Sequence, residues 1–115
     1  MVAMMHPAFR IAGKSSWGWD ENEKVQYRRI DGYLLPRKSP IVTHPGKRSD
    51  VYTWTFHKPL EAYAKALVRA GFMIDALEEW PSHKKSTSGP RARGENVARE
   101  EIPMFLAIRA VSVKK

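Results

Sequence analysis

Residues 59–80 read PLEAYAKALVRAGFMIDALEEW, and the order of signals within them decides the fold expected of this chain. Pro59 opens the run at a first helical position, where an amide proton has no partner to lose. Leu60, Tyr63, Ala64, Leu67 and Val68 then recur at three- and four-residue spacings, which line up as one stripe on a helix. Gly71 closes it, because glycine enters the left-handed region at no steric cost. Residues 72–80 (FMIDALEEW) follow without a linker and read as a strand. A helix that runs straight into a strand is half of a crossover connection, so the expected class is α/β.

Upstream, residues 1–9 (MVAMMHPAF) begin apolar with no polar lead-in or cap, and read as a buried strand ending at His6-Pro7. They look like a chain entered partway through a fold. This strand, the helix and the strand at 72–80 form the expected parallel βαβ unit. Downstream, residues 103–113 (PMFLAIRAVSV) are an apolar run of strand length that belongs deep in a sheet. No long helix separates them from 72–80, so the last two strands are expected to be an antiparallel pair. Residues 81–94 read as a long loop and 95–101 as one short helix. Residues 15–33 (SSWGWDENEKVQYRRIDGY) are mostly polar with large aromatics interspersed, and read as an ordered loop with a turn or two of helix at 20–29. A proline-flanked stretch at 35–45 leads to a strand at 51–56 (VYTWTF), a hairpin-like insertion. No internal repeat is present.

At 115 residues the chain is one small domain or part of a larger one. Hydrophobic residues make up 43%, enough to argue against disorder throughout. There is no cysteine, hence no disulfide framework, thiolate metal site or cysteine nucleophile, and the expected location is cytoplasmic. No apolar run approaches the roughly 20 residues that span a bilayer, and residues 1–10 lack the pattern of a signal peptide. Twenty Lys and Arg against twelve Asp and Glu give a formal charge of +8. That excess is spread along the chain instead of forming one arm, which argues against a nucleic-acid-binding module.

Many short stretches in one order carry a specific likeness. HPAFR (6–10), SSWGWDE (15–21), YRRIDGYL (27–34), THPG (43–46), YTWTFHKPL (52–60), AGF (70–72), LEEWPSHK (77–84) and EEIPMFLAIRA (100–110) together resemble the C-terminal half of a bacterial class I S-adenosylmethionine-dependent methyltransferase. The likeness covers essentially residues 1–115 as a single partial domain, with a substrate-lid-like loop region at 10–50. It implies a Rossmann-like sheet whose last strand is antiparallel and inserted beside its neighbours. It also implies S-adenosylmethionine as the cofactor of the complete fold and a small molecule as substrate. One departure is Lys58, where the family carries arginine; lysine keeps the charge but loses the planar fork. A larger departure is that the glycines, at 13, 18, 32, 46, 71, 89 and 94, build no glycine-rich phosphate- or cofactor-type turn. Weak or no binding of S-adenosylmethionine by this chain is therefore expected.

Candidate substrate-binding residues are His6, Arg10, Trp17, Trp19, Tyr27, Tyr52 and His57; no catalytic residue is singled out. His6, at the end of a strand, either orients a substrate or takes a proton, or is a turn histidine bonded to backbone. Arg10 either holds an anionic group or sits in water. The aromatics of residues 15–33 either form a lid or pack on the sheet. Tyr52, Trp54 and Phe56 alternate with threonines and read as a core face. His57 either faces the crevice or bonds to backbone near the helix start. His44 and His83 read as solvated, Glu78 and Glu79 as opposite faces of a strand, and Lys84, Lys85, Arg91 and Arg93 as a loop cluster that either touches phosphate or is solvated. Three functions follow: the substrate side of a methyltransferase, a non-catalytic scaffold or partner subunit, and a small basic nucleic-acid module. The first two imply self-association or a separately encoded N-terminal half.

Overall fold

A computed structural model describes residues 1–42 and 52–113 of the chain. The elements run β1 (Val2–Met5), β2 (Ser15–Asp20), β3 (Val25–Ile30), β4 (Arg37–Val42), β5 (Tyr52–His57), α1 (Leu60–Arg69), β6 (Phe72–Trp80), α2 (Ala92–Glu101) and β7 (Phe105–Ser112). They form a three-stranded sheet of order β1-β7-β6 and two hairpins, β2-β3 and β4-β5. Every pairing is antiparallel.

This corrects the expected fold class: the described strands make small antiparallel sheets and no Rossmann-like α/β methyltransferase sheet. The βαβ unit fails at its pairing, since β1 and β6 share no hydrogen bonds and β7 lies between them. The reason is in β7 itself. Leu106, Ala107 and Ile108 are buried, Leu106 with no exposed surface at all. A strand so apolar takes the central place, where both its edges are paired and both its faces can be covered.

β1 is the opposite case. Its MVAMM sequence reads as interior, yet Val2 is 61% exposed and one edge of β1 is open among the described residues. Position in the sheet, and not composition, sets its burial.

The expected aromatic loop at 15–33 is the β2-β3 hairpin, and the turn or two of helix at 20–29 is absent. Asp20 closes the turn by accepting hydrogen bonds from the Asn22 and Glu23 amides, each 3.0 Å, and Lys24 takes a positive φ of 55°. Gly18 stands opposite Tyr27, whose ring occupies the space a side chain there would need. The stretch before β5 holds β4, which contains Pro40 and pairs only with β5, leaving the edge a proline tolerates. Residues 43–51, among them His44, Val51 and the THPG stretch, lie outside the described residues.

α1 begins one residue later than expected. Pro59 is its N-cap, with extended φ and ψ of −68° and 159°, and Gly71 follows its end at φ +88°. The helix packs on β6 but buries none of its residues fully. α2 is longer than the helix expected at 95–101 and takes in Ala92, Arg93 and Gly94, residues placed in the preceding loop for its Ser, Gly, Pro, Lys and Arg without periodicity. It packs against β3, and Gly94 is what permits the approach: a Cβ there would meet the Lys24 carbonyl oxygen and the Trp19 ring at 2.8 Å each. The buried apolar residues are few, with Ile11, Ala98 and Met104 joining the three from β7.

Candidate functional site

Alternation along the β4-β5 hairpin builds one wall of a pocket. Arg37 lies opposite His57 and Ser39 opposite Thr55, and residues two apart share a face, so these four polar side chains stand together. Arg10, from the turn after β1, and Tyr63, from the first turns of α1, complete a cavity of about 110 Å³.

His57 is held on purpose. It is 8% exposed, and its Nε2 lies 2.7 Å from the Tyr33 carbonyl oxygen. A carbonyl only accepts, so Nε2 carries a proton, and in the neutral ring Nδ1 keeps a lone pair. No described protein group donates to that Nδ1. The Tyr33 hydroxyl in turn accepts the Leu60 amide at 2.8 Å, which ties the His57 anchor to the start of α1.

Arg37 adds a guanidinium whose Nε is buried without a hydrogen-bond partner among the described residues. It lies over Gly32, where a Cβ would come within 2.6 Å of its Nη2. Arg10 stacks over the Phe105 ring at 5.3 Å, and its guanidinium makes no hydrogen bond or ion pair among the described residues. With no carboxylate among the described lining residues, the pocket suits an anionic or strongly accepting group.

His6 is buried too, at 3% exposed, but both its ring nitrogens are in use. Nδ1 accepts the Ala8 amide at 3.1 Å, so Nε2 donates to Glu79 Oε2 at 2.6 Å. Its carbonyl accepts the Phe9 and Arg10 amides. His6 thus folds the turn that delivers Arg10, and it acts as a positioning residue.

Of the other sequence candidates, Trp17 lies beneath the Arg28 guanidinium at 4.9 Å, away from the hairpin pocket. Trp19 donates to Glu21 at 2.8 Å, carries Arg91 over its ring and abuts Gly94, so it joins α2 to the hairpin. Tyr27 covers Gly18 and is half exposed. The Tyr52 side chain lies outside the described residues. Trp54 and Phe56, read as a core face, are exposed and carry Lys38 above them. Glu78 and Glu79 serve separate partners, Trp80 and His6. Among the described residues no cluster of His, Asp and Glu is arranged to hold a metal, and no helix is long and apolar enough to cross a membrane.

Of the residues singled out from sequence, Arg10 and His57 line this cavity, together with Arg37, Ser39, Thr55 and Tyr63, which were not singled out as binding residues. The Thr55-His57 alternation was the available signal for the polar face. Comparison with protein-family models, curated proteins and solved structures found no match for this chain.

Proposed function

We propose that these 115 residues are the substrate-side part of an S-adenosylmethionine-dependent methyltransferase acting on a small molecule, with the cofactor held by groups outside them. The observation that supports this is the pocket in which two guanidinium groups and a buried imidazole with an uncommitted Nδ1 meet. Arg10 and Arg37 hold an acidic group of the substrate. His57 Nδ1 takes the proton from the substrate's hydroxyl or amine, and the Nε2 bond to Tyr33 fixes the ring for that task.

The residues present do not fit the cofactor itself. Gly13, Gly32, Gly71 and Gly89 take positive φ in four separate turns instead of one glycine-rich turn. The isolated chain should give no saturable heat when titrated with S-adenosylmethionine. Joined to a segment that holds the cofactor, it should support methyl transfer. There His57→Ala should lower turnover by about 10²-fold, the usual contribution of a general base, with cofactor affinity and melting temperature little changed. Low-micromolar cofactor binding by the chain alone, or a matching loss of cofactor affinity in the variant, overturns the reading.

A second reading, a partner subunit without turnover, is favoured by one feature. An apolar groove of about 480 Å³ runs between β1, α1 and β7, lined by Val2, Met4, Tyr63, Leu67, Phe72 and Ile108. A second copy or a separately encoded N-terminal half would cover it. We propose a cytoplasmic location under either reading, which the absence of cysteine supports.

A further inference from the structure

A second concavity, of about 310 Å³, shares only Arg10 with the hairpin pocket and is lined by Arg10, Trp17, Arg28, Lys84, Arg99 and Phe105 among others. Four of these are cations, and none of the described lining residues is a carboxylate. Two of the cations, Arg28 and Arg99, are braced by acceptors outside the cleft lining. Arg28 donates from Nε to the Phe9 carbonyl at 2.8 Å and from Nη2 to Ser15 Oγ at 3.1 Å, and lies over Trp17. Arg99 donates from Nη1 to Ser86 Oγ at 2.8 Å, an oxygen that also donates to Glu95. Arg10 rests on Phe105, and neither its guanidinium nor the Lys84 ammonium meets an acceptor among the described residues. The nearby Glu79 is turned to His6.

Like charges gathered without counter-charge are unfavourable, and more so where burial removes water. Arg28 registers that environment: burial first, and the Arg10 charge second, push its guanidinium below the ordinary value. An anion between Arg10 and Arg28 relieves the repulsion and fills donors that are otherwise uncommitted. Four cations reaching one space from β3, the turn after β1, the 81–91 segment and α2 match a multiply charged oxyanion better than a single carboxylate. Trp17 and Phe105 supply the apolar walls.

We propose that this cleft binds the phosphate group of a phosphorylated small molecule, with Arg10 and Arg28 as the principal clamps. The site goes beyond the methyl-transfer reading and does not depend on it.

The test is calorimetric titration of the full chain with inorganic phosphate and with pyrophosphate at low ionic strength, on wild type and three variants. Arg28→Gln is left out because Arg28 also braces Phe9 and Ser15. Saturable binding is expected, in Arg37→Gln as in wild type, with a rise in melting temperature by mass action. Arg10→Gln should weaken pyrophosphate binding by about tenfold or more, as the loss of a charge-assisted bond implies. Its melting temperature without ligand should stay unchanged. Lys84→Gln, at an exposed position, should weaken binding by about two- to threefold. Arg37→Gln, confined to the hairpin pocket, should leave it unchanged, which separates this proposal from the methyl-transfer one. Absence of saturation, wild-type affinity in Arg10→Gln, or an equal loss in Arg37→Gln overturns the proposal. So does tighter binding of single-stranded RNA or DNA than of pyrophosphate.

Discussion

Gly94 is a residue where the absence of a methyl group holds two elements together. Alanine is the better helix former, by about 1 kcal/mol in a helix interior, which would favour Gly94→Ala in the first turn of α2. The Cβ would, however, stand 2.8 Å from the Lys24 carbonyl oxygen, a backbone atom that cannot swing aside, and equally close to the Trp19 ring. Overpacking of this kind costs about 1–3 kcal/mol, so the steric term wins. The variant should be less stable in chemical denaturation, with the α2 contact to the hairpin loosened. Trp19→Ala should partly relieve it, a coupling that a double-mutant cycle reads directly.

Asp75 and Arg109 show a different residue-scale effect. Asp75 sits at the irregularity of β6 between Ile74 and Ala76, and Arg109 donates two hydrogen bonds to its carboxylate, of 2.9 and 2.8 Å. Those bonds first, and the Arg109 charge after them, hold Asp75 below its ordinary 3.8. The folded state thus binds this proton less readily than the unfolded state. The pair stabilises above the ordinary value and ceases to do so as pH falls through the depressed one. Asp75→Asn should lower the melting temperature slightly at neutral pH, and the difference from wild type should vanish in acid. A constant difference down to the lowest pH would show that the pair contributes nothing electrostatic. At Leu106, which has no exposed surface, truncation to alanine should cost about 2–5 kcal/mol, read from denaturant midpoints.

At the scale of elements, some parts of the chain announce themselves and others do not. α1 does, because Pro59, the apolar stripe and Gly71 are local signals that agree. β6 and β7 do, because residues 72–80 follow the Gly71 stop directly and residues 103–113 are an apolar run of strand length. The β2-β3 hairpin does not. Its turn is closed by the Asp20 side chain and contains no Asn-Gly or Asp-Gly pair, and Gly18 between two tryptophans looks like loop composition when it is room for the Tyr27 ring. β4 is masked in the same way by Pro40. The pocket inherits this difference. His57 and Arg10 stand in stretches with a recognisable pattern, while Arg37 is delivered by the strand that was read as a proline-flanked link. The two tryptophans of β2 should differ: Trp17 lines the phosphate cleft and Trp19 abuts α2, so Trp17→Ala should reduce affinity for phosphate while moving the melting temperature less than Trp19→Ala does. Equal effects of the two on stability would assign both to the scaffold.

The whole molecule is open. Its radius of gyration is 17.1 Å, against about 13 Å for a compact domain of this length. Val2, Met5, Leu34, Leu35, Phe56, Val68 and Met73 remain exposed, and β1 offers a free edge without lysine, proline or inward charge to blunt it. Exposed edges and apolar faces of this kind are satisfied by association. Light scattering coupled to size exclusion should therefore return a mass above that of one chain, and a variant with a charge in the edge strand, Ala3→Lys, should shift it toward the monomer. A soluble monomer over a wide concentration range would contradict this expectation.

The central place of β7 bears on the order in which the polypeptide can assemble on a ribosome. β2-β3, β4-β5 and α1 each close over short sequence distances and are free to form as they emerge. Val2 pairs with Ile108, so β1 waits for nearly the entire chain before its partner exists, and β6 waits too. Chains emerge at about 5–20 residues per second, which leaves the apolar MVAMM strand unpaired for several seconds of every round of translation. The apolar strand most open to wrong pairing during synthesis is thus one whose native neighbour is made last.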